Sequence, residues 1–124
     1  MNDITGTWLG TYWQDGNPTR FEATFVQGGN TLSGRILDDG MLGEAQVTGD
    51  LVGRRIQFTK QYLTSSPQPI QYQGTLSEDG NTMSGKWNIG RRYSGSWEAH
   101  RNDNDLMASL QARLTKSIPV GADR

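Results

Sequence analysis

The sequence has no cysteine among its 124 residues and a single histidine, His100. A disulfide framework and thiolate metal ligation are therefore excluded, and a zinc site built from the usual nitrogen and sulfur ligands lacks material; no cofactor is expected. Charge of one sign is missing too, since twelve basic residues face thirteen acidic ones for a net charge of −1. Without a net field, neither nucleic acid nor an anionic membrane surface is an expected partner. No apolar run has the length of a transmembrane helix, so membrane insertion is not expected. The opening "MNDITGTW" lacks a basic region followed by an apolar run, which reads as cytoplasmic, although a mature secreted form would look the same. Hydrophobic residues are only 33% of the chain, a level shared with disordered segments, but four Trp, four Tyr and three Phe spread along it argue for packing. The length suits one domain with one core.

Glycine is what the chain has in excess, sixteen residues, and its placement is regular. Six segments share an apolar residue, then Ser, Thr or Gln, then Gly, any residue, and a second apolar one: "ITGTW", "LSGRI", "VTGDL", "YQGTL", "MSGKW" and "YSGSW". Side chains alternate across a strand, so each glycine shares a face with its two apolar flanks, and that face points inward. Two further runs alternate without glycine, putting Phe21, Ala23 and Phe25, then Ile56, Phe58, Lys60 and Tyr62, on one face. Inward glycine permits sharp coiling and leaves room for a large ring, which are needs of a small barrel. The pattern predicts an all-β, eight-stranded antiparallel up-and-down barrel over residues 1–101. An open sandwich with glycines at bulges is the alternative.

The connections sort into two kinds. "QGGN", "VG" and "EDGN" are short turns that would seal one end. "QDGNPT", "DDGML" and "LTSSPQP" are read as longer loops framing the other, open end, which "GRR" joins. Over 102–124, "NDNDLMASLQARLTK" puts Leu106, Met107, Leu110 and Leu114 on one helical face, followed by a loose tail. That helix is expected to pack outside the barrel, on Leu9, Trp13, Val26 and Leu37 of the first three strands, as part of the same domain.

From Ile4 to Arg101 the chain resembles the avidin and streptavidin group of the calycin barrels, relatives of lipocalins and fatty-acid-binding proteins. The resemblance rests on "ITGTW" opening the first strand, on the recurrent glycine strands and on the loop asymmetry. It implies an arginine of the last strand, Arg101, lying over Trp8 at the closed end. It does not carry the biotin site. Gly10 stands where such binders place an asparagine, Gln14 near their serine, Ile36 at a tyrosine, Lys60 at a tryptophan, and Gln68 and Ile70 at a polar pair; only Trp87 matches. Without those groups the polar ring of biotin would enter unpaired, so biotin is not the expected ligand.

The inward residues nearest the open end form an aromatic mouth: Tyr12, Phe21, Ile36, Lys60, Tyr62, Tyr72, Trp87 and Tyr93, with Ile70 among them. Apolar walls with a few convergent polar groups suit a small molecule. Lys60 either meets an anion, which with Arg91 or Arg92 would favour an anionic amphipathic ligand, or snorkels from the rim into water. His100 falls outward by parity, against a resemblance to haem barrels that use a carboxyl-terminal histidine. Glu22, Glu44, Asp50 and Glu98 also fall outward, and no catalytic set is found. The expected function is non-catalytic small-molecule binding. The alternatives are a protein-interaction or inhibitor module using the open-end loops, or a cofactorless cyclase or isomerase working by shape.

Overall fold

A computed structural model describes residues 3–39, 43–63 and 68–102 of the chain. The alternating pattern emerges as eight strands: β1 (Gly6–Gln14), β2 (Asn17–Gly28), β3 (Thr31–Asp38), β4 (Glu44–Val52), β5 (Arg55–Tyr62), β6 (Ile70–Leu76), β7 (Thr82–Ile89) and β8 (Tyr93–Arg101). Each pairs antiparallel with the next, and β8 returns to β1 with Trp8 opposite Arg101 and Tyr12 opposite Trp97. The sheet is a closed barrel and not the sandwich, which leaves no unpaired edge. The helix and tail expected beyond Asn102 lie outside the described residues.

The glycines act by pairing with rings. Across neighbouring strands Gly6 and Gly34 each stand opposite Phe25, Gly10 opposite Phe21, Gly49 opposite Phe58, Gly85 opposite Trp97, and Gly95 opposite Trp87. At Gly85 the coiling is so tight that a methyl group would lie 1.8 Å from the Gln73 carbonyl oxygen. Gly74 beside it leaves room for the Trp97 indole, 2.9 Å from where a Cβ would stand, and the indole Nε1 donates to the carbonyls of Gln73 and Lys86 at 3.1 and 3.2 Å. A buried indole N–H left without an acceptor would be costly, so these glycines also provide for the tryptophans. Trp97, Tyr72, Phe58 and Phe25 form a contiguous aromatic plug, with Phe58 stacked on Tyr72 at 4.8 Å between ring centres. Below mid-height the barrel is filled.

Arg101 lies over Trp8, its guanidinium carbon 4.7 Å from the ring centroid. It also donates to the carbonyls of Gly80, Thr5 and Asp3, tying the β6–β7 turn and the amino-terminal segment to the last strand. The Trp8 indole donates to Ile4 O at 2.9 Å, and Ile4, fully buried, plugs this end.

One connection differs from its expected length. "QDGNPT" is not a long loop: Gln14 pairs with Asn17, so only Asp15 and Gly16 turn, both at positive φ (52° and 81°). That is the two-residue hairpin favoured by Asp-Gly, whose twist matches the flanking strands. The remaining "NPT" opens β2, with Pro18 tolerated near the strand's first residue. Among the connections expected to be long, only those after β3 and β5 are not reduced to a two-residue turn, and residues 40–42 and 64–67 of them lie outside the described residues.

Candidate functional site

The inward face of β3 runs through Leu32, Gly34 and Ile36 and does not stop there. Asp38, grouped with the loop "DDGML" by its sequence, is the last residue of the strand and only 6% exposed. On the far side of β4, parity on β5 brings Lys60 inward. Its Nζ donates to Asp38 Oδ1 at 2.9 Å and Oδ2 at 3.0 Å, in a pair fully withdrawn from solvent. Tyr62 donates its hydroxyl to Asp38 Oδ2 through a short bond, and Tyr12 donates to the same oxygen at 3.2 Å. The ammonium also lies over three phenol rings, 4.8 Å from the centroids of Tyr12 and Tyr62 and 5.7 Å from that of Tyr72.

Lys60 thus neither snorkels nor waits for a ligand's anion, because its counter-ion is built in. Burial pushes the Lys60 ammonium below its ordinary pKa, opposed by the charge and hydrogen bonds of Asp38. Burial raises the phenols of Tyr12, Tyr62 and Tyr72, and the Asp38 carboxylate raises each further. All three remain hydroxyl donors at neutral pH. The floor of the mouth is consequently charged in its parts and neutral as a whole.

Above this floor a cavity of about 90 Å³ is walled by Tyr12, Gln14, Tyr62, Ile70, Tyr72, Trp87 and Ile89, and its surface is mostly apolar. Of the mouth residues named from sequence, Tyr12, Tyr62, Ile70, Tyr72 and Trp87 meet here. Trp87 is held by its indole N–H, which donates to Trp13 O at 3.1 Å, and its edge packs on Tyr12. Phe21 stacks behind Tyr12 and occupies the space over Gly10, where a Cβ would lie 2.3 Å from its ring. No side chain could stand at position 10 without displacing it. Ile36 is buried in the core and does not line the cavity. Tyr93 is not in the mouth: as the first residue of β8 it is beyond the point where the wall encloses side chains, and it is 49% exposed. Asp38, Gln14 and Ile89 are the additions, and each continues an inward series already begun on its strand.

Larger hollows lie on the outer wall, the one across β8, β1, β2 and β3 lined by Arg20, Glu22, Glu98 and His100 among others. Their linings are mostly outward, solvated strand residues. His100 is exposed, as its parity requires. Among the described residues no cluster of His, Cys, Asp or Glu could hold a metal ion, and no helix is long and apolar enough to cross a membrane.

No protein-family description and no curated protein matches the chain. Among solved structures it is similar to a de novo designed fluorescence-activating beta barrel, with a TM-score of 0.60 at 13% identity. The match covers 79% of this chain and 93% of the designed one. At that identity the likeness is one of fold: a closed, eight-stranded antiparallel meander barrel.

Proposed function

We propose that the protein is a non-catalytic barrel of the calycin type that binds a small amphipathic molecule in its mouth. The observation that carries this reading is the apolar cavity between Tyr12, Tyr62, Tyr72 and Trp87, set on a neutral, hydrogen-bonded polar floor. Apolar walls supply affinity through the area they withdraw from water, while a few fixed polar groups supply orientation. The calycin assignment is supported by the Arg101 and Trp8 pair at the closed end and by the strand order. The designed barrel of this fold is fluorescence-activating, which lends weak support to a small molecule in the interior here. The preference for an anion is set aside, because Asp38 already answers the charge of Lys60.

Drug-sized ligands fill pockets of roughly 300–1,000 Å³. A cavity of about 90 Å³ therefore takes one small ring, or the end of a longer molecule that continues past the rim. Native mass spectrometry of freshly purified protein tests the reading: a co-purified small molecule, released on denaturation, is the expected result. No adduct, together with unchanged tryptophan fluorescence across a panel of small aromatic, acidic and lipid compounds, would sink it. A second reading, a module docking a protein through its open-end loops, draws on Leu63 and Tyr93, which stand at that end 45% and 49% exposed.

A further inference from the structure

The polar groups on the buried rings of this barrel have hydrogen-bond partners, with one exception. The indoles of Trp8, Trp87 and Trp97 all donate to backbone carbonyls, and the hydroxyls of Tyr12 and Tyr62 donate to Asp38. Tyr72 is 2% exposed and lines the mouth cavity, yet its hydroxyl makes no hydrogen bond among the described residues. A buried donor without an acceptor is destabilising and rare in folded proteins, and at a cavity wall it marks where a ligand atom belongs.

We infer that the mouth recognises a neutral, planar, amide-like group whose carbonyl oxygen accepts the Tyr72 hydroxyl proton and whose N–H is met by the phenol oxygens of Tyr12 or Tyr62. The inference rests on the binding reading above and narrows it to a ligand class. Tyr12 and Tyr62 have committed their protons to Asp38, so towards a ligand they offer only lone pairs. Tyr72 has kept its proton to give. The phenols thus present one donor and two acceptors, which is the complement of a carbonyl beside an N–H; Gln14, at the exposed rim of the cavity, adds an amide that matches either group. Trp87 does not alter the count, because its N–H is held by Trp13. Charged ligands are disfavoured because Asp38 and Lys60 neutralise each other beneath the cavity and neither lines it, so an ion would lose its water without meeting a free counter-charge. Size agrees, since about 90 Å³ matches roughly three waters at their liquid volume.

Four small probes sharing one ring separate these terms: benzamide, benzoate, benzylamine and toluene. Their binding to the ¹⁵N-labelled full chain is followed through the Trp87 indole N–H signal. Benzamide is expected to bind about tenfold tighter than benzoate or protonated benzylamine, and Tyr72→Phe to weaken benzamide by about tenfold while toluene changes less than about twofold. Because the deleted hydroxyl has no protein partner, Tyr72→Phe should melt no lower than the parent protein. A clear loss of thermal stability would instead reveal a partner for the hydroxyl and overturn the inference. So would unchanged benzamide affinity in Tyr72→Phe, or a preference for benzoate or benzylamine. Toluene binding without an advantage for benzamide overturns the amide inference and leaves the binding reading standing. Silence from all four probes at millimolar concentration overturns both.

Discussion

Asp38 and Lys60 are both withdrawn from water, and each is tolerable only because of the other. Four hydrogen bonds converge on one carboxylate, two from Lys60 and one each from Tyr12 and Tyr62, three of them on Oδ2 and one on Oδ1. Substituting one partner therefore removes more than a contact. Lys60→Met leaves a buried carboxylate without its counter-ion, a change that costs about 3–5 kcal/mol. The double variant Lys60→Met with Asp38→Leu removes both charges, and urea unfolding should return most of that loss. A strongly non-additive cycle is the expected outcome; two independent, additive losses would mean the pair is not coupled. The sequence made Lys60 legible as an inward lysine, since it alternates with Phe58 and Tyr62. It conceals Asp38, because Asp-Asp-Gly has the composition of a turn, although the parity of Leu32, Gly34 and Ile36 runs through it. The same parity, pushed past the last aromatic residue, also finds Gln14 and Ile89. Tyr93 is the opposite case, where parity is right but the strand has only begun and the wall does not yet cover it.

At the scale of the strand, each inward glycine belongs to its partner strand as much as to its own. Gly85 sits opposite Gly74 on one side and Trp97 on the other, and the place of its missing side chain is taken by the backbone of Gln73 and Gly74. Gly85→Ala would force a methyl group to 1.8 Å from the Gln73 oxygen, and backbone cannot yield as a flexible side chain does. Destabilisation of at least about 3 kcal/mol is expected, read from the chemical denaturation midpoint. Gly28→Ala is the control: nothing lies within 4 Å of the added methyl and φ there is not positive. It should be neutral or stabilising by up to about 1 kcal/mol, through loss of unfolded-chain freedom. Equal effects at both positions would refute the role given to the inward glycines. These strands were legible because a period of two, repeated with glycine at a fixed phase, fits no helix. The hairpin at Asp15 and Gly16 is hidden in the sequence because Asn-Pro-Thr following it has loop composition, whereas strand pairing absorbs all three residues into β2.

For the whole molecule, the polar mouth ties stability to alkaline pH. Tyr12, Tyr62 and Tyr72 all have pKa values raised in the folded state, chiefly by burial, above the value near 10 of an exposed phenol. Between that value and the raised ones the folded protein holds protons that the unfolded chain has released, so stability falls as pH rises. Below about pH 10 the contribution is fully present. Lys60 acts with the opposite sign: its folded pKa is lowered, so its window lies below its unfolded value near 10.5, and there rising pH favours the folded state. Above about pH 10.5 the lysine is neutral in both states and only the phenols remain. Tyr62 and Tyr72, both buried, would then remove about 3 kcal/mol per pH unit, with Tyr12 adding to the slope. In a Tyr93→Phe protein the remaining tyrosines are these three. Their phenolate absorbance at 295 nm should rise above pH 10.5 in one cooperative step that coincides with loss of the far-ultraviolet sheet signal. Smooth ionisation near pH 10 with the sheet intact would mean that water reaches the mouth down to its floor, and that the neutral, desolvated platform on which a ligand is to rest does not exist.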